Sequence, residues 1–79
     1  MKLYSVIEKF TEGNEVIEQR LGSYKTSNLA YMAISEFAHQ HVQLAKLFDK
    51  RYKLQESKLD QKASVQVGNH QYEFTIVEI

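Results

Sequence analysis

Two stretches of alternating polar and apolar residues flank one long segment of helical periodicity, and that order predicts the fold. Lys2 to Phe10 and Glu15 to Leu21 are rich in β-branched and aromatic residues and are separated by Thr11-Glu12-Gly13-Asn14, a hairpin signature. With Gly13-Asn14 as the loop, Phe10 falls opposite Ile17, Lys9 opposite Glu18 and Val6 opposite Leu21. Tyr4, Val6, Phe10, Ile17 and Leu21 then share a core face, while Leu3, Ile7 and Val16 lie on the other face among Ser5, Lys9, Glu18 and Arg20. The same logic recurs at the end of the chain, where Ala63 to Val67 and His70 to Ile79 flank Gly68-Asn69. There Val65 pairs with Tyr72 and Val67 with His70. Val65, Val67, Tyr72, Phe74 and Ile76 point inward; Ser64, Gln66, Gln71, Glu73 and Thr75 point outward, until Val77 and Ile79 break the polar pattern.

Between the hairpins, Ser27 to about Gln55 contains neither Gly nor Pro and is rich in Ala, Leu, Lys and Gln, which predicts one long helix capped by Thr26 or Ser27. On a wheel, Ala30, Ala33, Ile34, Phe37, His41, Leu44, Ala45, Phe48 and Tyr52 form one apolar face, with Leu29 and Leu47 at its edge. Such a helix spans roughly 40 Å against about 30 Å for the strands, so its C-terminal half should overhang the sheet. Glu56 to Lys62 is polar with no stop signal, and the helix is expected to fray or to break into a short turn around Leu54 to Leu59.

The expected fold is a single α+β domain over residues 1–79, with ββαββ order and a four-stranded sheet packed in two layers against the helix. In its element order and its two Gly-Asn turns the layout resembles the β-grasp domains of the immunoglobulin-binding proteins G and L. That resemblance implies first and last strands lying side by side in the middle of the sheet. No antibody-contacting motif is matched, and no function is carried over.

Composition narrows the function classes. A chain of 79 residues buries only about 60–65% of its extended surface, so one core gives thin stability and a second chain would help. Ten basic and ten acidic side chains cancel, which removes a whole-molecule field for nucleic acid or anionic membrane. There is no cysteine, secretion-type apolar run or long apolar stretch, and a soluble cytoplasmic protein is expected.

Candidate chemistry is sparse. His39 and His41 are two apart, on nearly opposite sides of a helix, and no His-x-x-x-His or Glu-x-x-His spacing exists; His41 reads as a core or boundary residue that could meet His70. Glu8, Glu12, Glu15 and Glu18 read as a solvated acidic hairpin rather than a carboxylate pair in an apolar cleft. Gly13, Gly22 and Gly68 are isolated, so no phosphate loop is present. No catalytic, cofactor or metal site is therefore expected. Two apolar surpluses point to a protein partner: Leu3, Ile7, Val77 and Ile79 on the outer sheet face, and Leu47, Phe48, Tyr52 and Leu54 on the overhanging helix end. The sequence thus predicts a small non-enzymatic binding protein, of a size that suits a bacterial or phage accessory protein, acting as a homodimer or docked on a larger protein. The alternative is nucleic-acid binding through a basic helical ridge of Lys46, Lys50, Arg51 and Lys53.

Overall fold

The computed structural model describes residues 2–79. It contains β1 (Tyr4–Glu12), β2 (Glu15–Tyr24), α1 (Ser27–Leu47), β3 (Tyr52–Ser57), β4 (Lys62–Val67) and β5 (His70–Glu78). The α+β class and the helix packed on a sheet are as the pattern predicts; the sheet has five strands rather than four, in the order β2-β1-β5-β4-β3.

The extra strand comes from the segment assigned to the helix. Residues 52–57, Tyr-Lys-Leu-Gln-Glu-Ser, alternate with period two, and Tyr52, Leu54 and Glu56 pair with Val67, Val65 and Ala63. The helix stops at Leu47 because Phe48 leaves helical geometry and Asp49 adopts a left-handed φ of 58°. Two reversed hydrogen bonds then close the last turn: Lys50 N–H donates to Ala45 C=O at 2.8 Å and Asp49 N–H to Lys46 C=O at 3.2 Å. This is the Schellman arrangement, with aspartate where glycine is usual. At 21 residues the helix is roughly 31 Å long by its rise, a match for the strands, so the predicted overhang is gone. At its other end Thr26 Oγ1 accepts from Leu29 N–H at 3.1 Å, the expected N-cap. No helix among the described residues is long and apolar enough to cross a membrane.

Strand parity fixes the direction of β5. The helix returns the chain to the end of the sheet that carries the Gly13-Asn14 turn, and three further strands leave β5 antiparallel to β1. First and last strands are neighbours in the middle of the sheet, as the β-grasp resemblance implies. With four strands they would run parallel; with five they run antiparallel, and the sheet departs from that pattern. Gly13 and Gly68 carry φ of 59° and 58° at the first central position of their two-residue turns, the type II′ arrangement that suits the strand twist.

The inner face is built in rows across the strands. One row runs Glu15, Glu12, His70, Val67, Tyr52; the next runs Ile17, Phe10, Tyr72, Val65, Leu54; the third runs Gln19, Glu8, Phe74, Ala63, Glu56. Phe10–Ile17 and Lys9–Glu18 pair as expected, whereas Val6 pairs with Gly22 because a bulge between Val6 and Ile7 inserts Leu21.

Among the described residues the buried apolar core comprises Val6, Ala30, Ile34, Ala38, Val42, Ala45, Ala63, Val65 and Phe74, four of them alanine. The alanines let the helix approach the sheet closely. The larger Phe37 and His41 lie to one side, on the rings of Phe74 and Tyr72, so the buried stripe is rotated from the predicted one, and Leu44, Phe48 and Tyr52 are exposed rather than core. Ala30, Ile34, Ala38 and Val42 succeed each other in steps of four, each step turning about 40° round the axis. The contact therefore migrates towards the flank bearing Ser35, His39 and Lys46, which meets Glu56 and Tyr52 of β3. The helix crosses the sheet obliquely and leaves the first hairpin bare beyond Glu8.

Candidate protein-binding surface

That oblique crossing creates an open corner between the tip of the first hairpin and the C-terminal end of the helix. On the hairpin side Ile17 faces the helix layer yet is 56% exposed, because nothing lies above it. On the helix side Leu44, Leu47 and Phe48 are 53%, 75% and 67% exposed. Leu44 and Phe48 are four residues apart on the flank that also carries Phe37 and His41 towards β5 and β1. These side chains lie outside the buried core and border the open corner from two distant parts of the chain.

The floor of the corner is aromatic and acidic. His41 stacks on Tyr72 with centroids 3.8 Å apart, Phe10 lies 4.9 Å from Tyr72, and His70 meets Phe10 edge-on at 5.4 Å. His41 and His70 thus belong to one cluster, each through a different ring. Glu8 is only 9% exposed; Gln19 Nε2 donates to its Oε1 at 2.9 Å, and His41 Nε2 stands 3.7 Å from its Oε2, an ion pair when the imidazole is protonated. His70 Nε2 is 3.4 Å from Glu12 Oε1, and His39 Nε2 is 3.2 Å from Glu56 Oε1. Burial, followed by the charges of Glu8 and then Glu12, raises the Tyr72 phenol above its ordinary range. The solvated-hairpin expectation therefore fails for Glu8, whose strand parity with Val6 and Phe10 places it inside. That parity was the signal available in the sequence. Among the described residues no group of three or more His, Cys, Asp or Glu is arranged to hold a metal ion.

The other candidate residues fall into separate places. Leu3, Ile7, Val77 and Ile79 do meet on the outer face: Leu3 and Ile79 exchange both backbone hydrogen bonds, at 2.9 and 2.8 Å, and Val77 pairs with Ser5 between Leu3 and Ile7. Leu3 and Ile7 are half-buried there, and Val77 and Ile79 are exposed. Leu54 is not surplus. It faces inward on β3 and packs against the core, since the segment alternates as a strand instead of turning as a helix. Tyr52 opens β3 with Lys46 Nζ 6.0 Å from its ring centroid. The basic helical ridge does not exist as such: only Lys46 is helical, Lys50 and Arg51 lie in the connection, and Lys53 points outward from β3. Two of the four cations, Arg51 and Lys53, line a depression of about 270 Å³ at the start of β3 together with Tyr52, Gln66 and Gly68.

No protein-family model matches this chain, and no curated protein or solved structure shows significant similarity to it.

Proposed function

We propose that the protein works by binding another polypeptide, with no chemistry of its own, through the corner between the first hairpin and the helix end. The observation that supports this most directly is the exposure of Ile17, Leu44, Leu47 and Phe48 on adjoining elements of a chain whose core is small. Apolar side chains contributed by two elements to one open corner are the usual mark of a contact surface. A homodimer and a larger partner protein both fit this reading. The experiment is site-specific photo-crosslinking in cells that produce the protein, with the probe at Phe48 and, as a control, at Leu59, a loop residue 94% exposed. A discrete adduct from position 48 and none from position 59 is expected; equal or no labelling from both positions would sink the proposal.

A second reading has its own observation. Arg51 and Lys53 line the depression beside Tyr52, and Lys46 Nζ stands 6.0 Å from the Tyr52 ring, an arrangement suited to phosphates and one stacked base. Binding to single-stranded nucleic acid would then weaken steeply with salt and on replacing Lys46, Lys50 and Lys53 together. A flat gel-shift series at low salt would end it.

A further inference from the structure

The chain is electrically neutral, yet its charges are segregated at one end of the sheet. The row Glu15, Glu12, His70, Val67, Tyr52 shows that the hairpin tip and the exit of the helix lie at the same end. On the tip, Glu12 and Glu15 lie on the inner face with Ile17, while Lys9 and Arg20 face outward. At the helix exit stand Lys46, Lys50 and Arg51 with Leu44, Leu47 and Phe48, and Asp49 is the sole acid in that stretch. Among the described residues none of Lys46, Lys50 and Arg51 is in an ion pair, and the close partner of Glu12 is His70.

One end of the molecule thus carries two apolar features of opposite charge, the acidic one at the β2–β1 side of the sheet and the basic one towards β3. From this complementarity we infer that the polypeptide bound at the corner is a second copy of the same chain, docked about a two-fold axis so that the hairpin tip of each copy lies on the helix end of the other. The inference rests on the binding reading above and names its partner. A two-fold rotation about an axis midway between the two features brings acid onto base twice, and it seats Ile17 of each copy against Leu44 and Phe48 of its mate. A foreign partner would need to match only one of the two features; a chain that holds both halves of a complementary pair on one end matches itself. The contact closes on itself, so it yields dimers and no longer chains.

The test uses sedimentation velocity on the full chain and two double variants: Glu12→Lys with Glu15→Lys, and Lys50→Glu with Arg51→Glu. Wild type is expected to dimerise, more weakly as salt rises. Symmetry makes each double reversal act at both contacts, so each variant alone should weaken its homodimer by at least about tenfold. An equimolar mixture of the two should recover the dimer, because one contact of the mixed pair is native and the other has both charges exchanged. Circular dichroism establishes that each variant is folded. A wild type that stays monomeric at high micromolar concentration overturns the inference, as do variants that dimerise normally, a mixture without recovery, or a mass that grows past the dimer. Failure here is separable from failure of the binding reading: a heterologous adduct from position 48 in a monomeric protein, or a dimer lost on Ile7→Asp and indifferent to the charge reversals, rejects this docking and leaves a binding protein.

Discussion

The left-handed turn at Asp49 is what converts a helical-looking segment into the fifth strand, and its energetics can be tested directly. At φ 58° an L-residue pays roughly 1–2 kcal/mol relative to the right-handed region, with Asp and Asn at the low end because a short polar side chain tolerates the conformation. Glycine avoids that cost but loses about 0.5–1 kcal/mol of extra backbone entropy on folding. Asp49→Gly should therefore leave stability unchanged or raise it by up to about 1 kcal/mol, and Asp49→Ala should lower it by about 1 kcal/mol. Gln43, exposed on the helix, is the control: there Gly should be worse than Ala by about 1 kcal/mol. The quantity of interest is the sign of the Gly-minus-Ala difference, which reverses between the two sites. For a domain of this size 1 kcal/mol moves Tm by about 4–8 °C, so the reversal is readable from thermal or denaturant unfolding followed by circular dichroism. Protein concentration must be held constant, because self-association adds to apparent stability. If Ala at position 49 is as good as Gly or better, the helix continues through Asp49 as the sequence alone suggests, and the five-stranded sheet is wrong.

Phe74 is fully buried between the helix and the sheet, and Phe74→Ala should cost about 3–5 kcal/mol. That rivals the roughly 4–12 kcal/mol expected in total for a chain of this length, so the variant should be largely unfolded by circular dichroism, while Leu59→Ala in the β3–β4 loop should change stability by less than about 0.5 kcal/mol. Thr26→Ala removes the acceptor for Leu29 N–H and should lower stability by about 0.5–2 kcal/mol in denaturant titration, with Thr26→Ser close to neutral. The raised Tyr72 gives an alkaline signature: above the ordinary phenol range the unfolded chain releases this proton first, so the folded state binds more protons and stability falls as pH climbs towards the folded value. Tyr72→Phe should flatten that part of the stability profile in alkaline unfolding curves, and an unchanged slope would contradict the burial of Tyr72 beside Glu8 and Glu12.

The hairpins were legible in the sequence, apart from the bulge that moves Val6 from Leu21 to Gly22, because their information is local. Period-two alternation and a Gly-Asn turn determine which residues face each other, and Phe10–Ile17, Val65–Tyr72 and Val67–His70 follow from counting. The helix start is local too, since Thr26 caps it with its own side chain. The helix end is another matter. Tyr52 to Ser57 satisfies a strand pattern and continues a helical one, and propensity cannot choose between them. The choice falls to β4, whose free edge offers a ladder of hydrogen bonds that no isolated segment possesses, and to one aspartate that accepts a left-handed turn. Tertiary packing likewise decided which helix face is inside, because close approach favours a row of alanines over the most hydrophobic arc. It also decided the candidate site: Ile17 and Phe48 are 31 positions apart, and only the oblique crossing of α1 over the sheet leaves both uncovered at the same corner. Short-range pattern specified the elements, and competition for the same sheet edge and the same core specified where they stop and what they leave exposed.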